Sequence, residues 1–132
     1  MAVRLSASLA NSLADAVDTA IGNAGKIEIR TGTQPATADT AASGTLLATF
    51  TLGSPGFGAA SSGVITLAGV PLTVAASSTG TAGYFRLMTS ANSSIMDGAI
   101  GTSGQQINLN TTSITTGVNV TITSGTITMP TS

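Results

Sequence analysis

The sequence predicts a mainly β protein: an antiparallel β-sandwich or jelly-roll-like domain with one N-terminal amphipathic α-helix. Three observations carry that expectation. Short strand-like stretches recur after Gly25, each bounded by Gly, Ser, Pro or Asn. Threonine occurs 23 times, and β-branched side chains suit a half-buried pleated surface. No helical crossover separates the strand patterns, which argues against a parallel α/β sheet.

The helix signal lies between Leu5 and Ile21. Leu5, Leu9, Leu13, Val17 and Ile21 recur every fourth residue, with Ala16 and Ala20 between them, and at 100° per residue they fall in one arc. Asn11, Ser12, Asp15, Asp18 and Thr19 fall opposite, and solvation is the expected role of Asp15 and Asp18. Gly22 is a natural stop. The stripe must pack on something: its own sheet, or a neighbouring subunit through Leu9 and Leu13. Residues 1–25 therefore form the helix and its connection, and residues 26–132 the β domain, in one compact unit.

Lys26 to Arg30 alternates polar and apolar. Lys26, Glu28 and Arg30 share one face, which reads as an exposed charge cluster guarding an edge strand. Thr31 to Gly44 (TGTQPATADTAASG) has no large side chain and only Asp39 charged. It is too long for a hairpin turn and should run over the surface. Thr45–Leu52 is the second strand, and Gly53 to Gly58 a turn cluster with Phe57 as a plug. Gly63–Ala68 and Leu72–Ala75 are short strands. Gly83–Met88 is the heaviest strand and Ser94–Ile100 follows it, with Asp97-Gly98 as a bulge or tight turn. Ile107–Asn110 is brief. Val118–Thr123 and Thr126–Met129 read as two last strands joined at Ser124-Gly125.

Composition excludes several function classes. Leu, Ile and Val number 27 and Phe adds three, enough for one thin core. Only nine residues are charged, for a net charge of −1, against roughly a quarter in ordinary domains. No basic run marks a nucleic-acid footprint, and no apolar run approaches the ~20 residues that span a bilayer. The N-terminal stretch is a poor secretory signal, so synthesis in the cytoplasm is expected. Without His or Cys, the usual nucleophile–base pairs and zinc sites are missing. The five carboxylates, Asp15, Asp18, Glu28, Asp39 and Asp97, show no spacing that suggests a facing catalytic pair. No cofactor, metal or enzymatic activity is expected. Alternation groups Tyr84, Arg86 and Met88 on one strand face. That face reads either as an interface patch, since those residue types are enriched at interfaces, or as a solvent face with Arg86 lying over it.

Read together, TGTQPATADTAASGTLLATFTL, GTAGYFRLMTS and MDGAIGTSGQQINLNTTSITTGVNVTITSGTITMP resemble a family of small structural proteins of tailed bacteriophages, over roughly residues 26 to 130. The resemblance implies a non-enzymatic virion protein, made in the host cytoplasm. Within the particle, the leading expectation is a capsid decoration or cement protein that binds the major capsid protein and stabilises the closed shell by mass action. A dimer or trimer would match shell symmetry. Expected contacts are Leu9 and Leu13, the Tyr84/Arg86/Met88 face, and the long loop with Gln34, Pro35 and Asp39. Three alternatives stand beside it: a neck, collar or tail connector or fibre anchor, a host-surface or glycan-binding module, and a small carboxylate hydrolase.

Overall fold

A computed structural model describes residues 5–22, 24–53 and 56–128. Ser54 and Pro55 of the expected turn, and Met129 at the end of the last expected strand, lie outside the described residues. Helix α1 spans Ala7–Ile21. Ser6 caps it, its hydroxyl accepting from Leu9 N–H at 3.1 Å, and Gly22 ends it at φ 69°. The strands are β1 (Lys26–Thr31), β2 (Leu46–Thr51), β3 (Val64–Thr66), β4 (Leu72–Ala75), β5 (Gly80–Met88), β6 (Ser94–Gly101), β7 (Ile107–Leu109), β8 (Ser113–Ile114) and β9 (Asn119–Thr128).

Among the described residues the protein is mainly β with a single N-terminal helix, as expected. The strands join one curled mixed sheet in the order β2-β1-β5-β6-β7-β9-β3, with β4 on β9 and β8 on β5. The expected all-antiparallel pattern has one exception, because β6 and β7 run parallel. Parallel neighbours ordinarily need a crossover of a dozen or more residues. Here only Ile100–Gly101 and Ile107–Asn108 pair, so a short loop suffices. The curl brings the chain after β4 against β2, where Ser77 N–H donates to Leu47 O at 2.8 Å. Enclosed by the curl is the core of Ile27, Ile29, Phe50, Phe57, Ile65, Phe85, Leu87, Ile107, Leu109 and Ile122, among others.

Three sequence readings are corrected. β1 is not an edge strand, since it pairs with β2 on one side and β5 on the other. Asp97-Gly98 is neither bulge nor turn but lies in register within β6, opposite Arg86 and Phe85. Gly98 is there because Phe85 lies over it: an added Cβ would collide with the ring. Ser124-Gly125 does not end a strand. It is where β9 changes phase, with Val120 and Ile122 buried before it and Gly125 and Ile127 after, at an irregular register against β7.

Candidate functional site: a covered strand face and an open helix ridge

The 32–45 segment folds back over β5 as an Ω-shaped strap. Its ends are tied together, Thr31 N–H donating to Thr45 O at 3.1 Å and Thr45 N–H to Thr31 Oγ1 at 2.8 Å. Gly83 leaves room for it, because a Cβ there would strike the backbone of Gly32. Inside the strap, Tyr84 holds both backbone groups of Ser43. Its hydroxyl donates to Ser43 O at 2.8 Å and accepts from Ser43 N–H at 3.0 Å. Arg86 grips the strap at a second point, donating from Nη2 to Thr40 O at 2.8 Å.

Arg86 is also bound edge-on by Asp97, directly opposite on β6. Nε donates to Oδ1 at 2.6 Å and Nη2 to Oδ2 at 2.9 Å, with the side chains 5% and 3% exposed. This two-pronged geometry is the strong form of an ion pair. Asp97's hydrogen bond raises the Arg86 pKa above its ordinary value, against burial, which lowers it. Beside this pair on β1, Glu28 accepts from Arg30 Nε at 3.1 Å, and Lys26 Nζ donates to Asn92 Oδ1 at 2.8 Å.

Tyr84, Arg86 and Met88 are all buried, the first two beneath the strap, and the reading of them as an exposed face, whether interface or solvent, is corrected. The missing information was the strap itself. A loop without large side chains gave no sign that its backbone carbonyls, rather than its side chains, would cover the strand. Gln34 and Asp39 lie exposed on the strap and Pro35 is half-buried.

The helix departs from expectation in a more useful way. Ala10, Ala14 and Ile21 are buried, with Val17 packed against the core. Leu9 and Leu13 are 48% and 41% exposed, and Ala16 and Ala20 are exposed as well. The apolar arc is wider than the sheet can cover, and the side chains that do face inward include the small Ala10 and Ala14. This close approach lets the polar side grip the loop ahead of β3, so those residues are not merely solvated. Asp18 Oδ1 accepts from Phe57 N–H at 3.1 Å, Asp15 Oδ1 from Ala60 N–H at 2.9 Å, and Asn11 Oδ1 from Gly63 N–H at 2.7 Å. Their spacing of four and three residues places them on one helical stripe, which was the available signal for a clamp.

A cleft of about 290 Å³ opens between β6 and β9, lined by Phe85, Met96, Asp97, Gly98, Gln106, Ile127 and Thr128. Among the described residues no three His, Cys, Asp or Glu side chains gather to hold a metal, and no helix is long and apolar enough to cross a membrane. No family model matches the chain, and neither a curated protein nor a solved structure matches it significantly.

Proposed function

We propose that this chain is a non-enzymatic structural protein of a tailed-bacteriophage particle, working as a decoration or cement protein on the assembled shell. The observation that supports it most is where the few charges go. Asp15 and Asp18 hold the loop ahead of β3, Glu28 is paired with Arg30, and Asp97 with Arg86. Lys26 bonds the neutral Asn92 and Asp39 stays exposed on the strap, and the rest of the described exterior is largely hydroxyl-rich, with an apolar ridge on the helix. Such a surface suits lasting contact with other subunits better than turnover of a small substrate, since a near-neutral exterior promotes association. The contact surfaces in this reading are the ridge of Leu9 and Leu13 and the outer side of the strap with Gln34, Pro35 and Asp39. Tyr84 and Arg86 act from inside by fixing the strap's shape, and Met88 is buried farther along the same strand.

The mechanism is mechanical. Sites formed by neighbouring shell subunits exist only in the closed shell, so a protein that binds them stabilises it by mass action. The glycan-binding alternative is weakened by the aromatics. The chain has one Tyr and three Phe and no Trp, and Tyr84, Phe50, Phe57 and Phe85 are each 1% exposed, so no ring is free to stack on a sugar. Quantitative mass spectrometry of purified particles tests the proposal. A copy number comparable with the major shell protein is expected. A number far below it would replace the shell address by the neck or tail, and absence from clean particles would overturn the structural role.

A further inference from the structure

We propose that the cleft between β6 and β9 is an acceptor slot for an extended, uncharged peptide segment of another protein, whose main chain joins the sheet there as a strand. Nothing in this depends on a phage particle, so either proposal can fail without the other.

The slot follows from a mismatch of strand lengths. β6 and β9 both border β7, so a whole strand separates them and their backbones lie about 10 Å apart. β7 starts only at Ile107, where it meets Ile100 on one side and Gly125 on the other. β6 has run from Ser94 to reach that level, and β9 runs on past it to Thr128. Over that stretch the two outer strands continue and the middle one does not. The cleft of about 290 Å³ lies in that row.

Both walls turn main-chain groups toward it. Ala99 N–H points away from β5 and donates to Gln106 Oε1 at 3.3 Å. Such groups alternate along an antiparallel strand, so Asp97 N–H and C=O point the same way, and they have no partner among the described residues. On the far wall Thr126 N–H donates to Gln106 O at 2.8 Å, so by the same alternation Thr128 N–H and C=O also face the cleft. Gln106 closes one end, and its side-chain amide already does for Ala99 what a main-chain carbonyl does inside a sheet. Beyond Gln106, the chemistry that matches both walls is a run of alternating N–H and C=O groups, which is a peptide backbone.

Side chains and charge narrow the guest. Phe85, Met96 and Ile127 give the cleft an apolar lining, and Gly98 brings no side chain into it. An apolar side chain of the guest fits inward there, and the next one faces solvent. The Asp97 carboxylate is held by Arg86, so no unpaired charge lines the space. Sheet edges are commonly guarded by Lys, Pro or an inward-pointing charge. β6 has no Lys or Pro, and its one charge is neutralised. About three residues of a guest touch both walls at 3.3 Å per residue, so binding is weak unless the segment is held nearby.

Amide NMR of the isotope-labelled full chain tests this. The probe is the peptide acetyl-Thr-Val-Thr-Val-Thr-amide, and the control is the same peptide with its main-chain N–H groups methylated. The expected result is a saturable shift at the Asp97 and Thr128 amides, with their hydrogen exchange slowed about tenfold at about ten times the half-saturating concentration, and no response to the control. No response at those amides at millimolar peptide, or an equal response to the control, would overturn the proposal. So would Asp97 and Thr128 amides already protected from exchange without peptide. Protection independent of protein concentration would mean that the chain fills its own cleft, and protection rising with concentration that a second copy does.

Discussion

Replacing Arg86 by Met removes the guanidinium while keeping much of its apolar length. Asp97, with 3% of its side chain exposed, then loses both hydrogen bonds from Arg86, and Thr40 O loses its donor. Breaking a buried ion pair from one side costs about 3–5 kcal/mol, because the remaining charge is buried alone. For a chain of this length the unfolding entropy is on the order of 0.28 kcal/mol/K, so the melting temperature falls by about 11–18 °C. Removing both charges, in R86M/D97L, removes the orphan and recovers most of that loss. The assay is urea unfolding of the parent, both single variants and the double variant, compared at constant m, with the coupling read from the cycle. The pH dependence has a definite sign. Arg86's pKa is raised in the fold, so its contribution is complete below the unfolded pKa and is lost only as pH rises through the folded value, in strongly alkaline solution. The R86M deficit should therefore persist from neutrality to about pH 10. A single-variant loss below about 1 kcal/mol, the range of an exposed pair, would refute the buried-pair reasoning. So would a double variant no more stable than R86M.

Three further outcomes follow from the same geometry. Tyr84→Phe removes both bonds to Ser43 and should cost about 1–3 kcal/mol, with faster amide hydrogen exchange at Ser43; unchanged exchange would mean the phenol does not hold the strap. Gly98→Ala drives a Cβ into the Phe85 ring and should lose about 1–3 kcal/mol by overpacking, which a thermal melt reads directly; a neutral melt would show that the ring moves aside. Asp18→Ala leaves the Phe57 N–H without its acceptor and should cost about 1–3 kcal/mol, with exchange rising first at Phe57 and in α1 rather than in β1 or β5; uniform loss across the sheet would contradict a local clamp.

Much of the strand plan was legible because it depends on local alternation. Lys26 to Arg30 read as a strand from its alternation, Ser94 to Ile100 read as a strand apart from the bulge or turn expected at Asp97-Gly98, and the helix was marked by a four-residue stripe ending at Gly22. What failed depended on chain segments far apart. The Arg86–Asp97 pair joins adjacent strands whose register no local pattern states, although an Arg amid apolar strand residues and the lone Asp of the next strand were a usable hint. The strap covers Tyr84 through backbone groups, which side-chain reading does not weigh. Leu9 and Leu13 lay in the same arc as Ile21, yet the sheet covers only part of that arc, and periodicity cannot say which part. Ser124-Gly125 carries a turn composition, but β4 pairs with β9 before it and β3 after it, so the strand continues and the glycine packs under Leu67 and Ile107 instead.

The central claim is that the strand face is closed within the subunit while the helix ridge is left for another. Hydroxyl-radical footprinting of the dilute free protein and of purified particles tests it in one measurement. Tyr84 and Met88 should be weakly labelled in both states, and Leu9 and Leu13 strongly labelled in the free protein and protected in the particle. Strong labelling of Tyr84 in the free protein, or equal labelling of Leu9 and Leu13 in both states, would contradict the account.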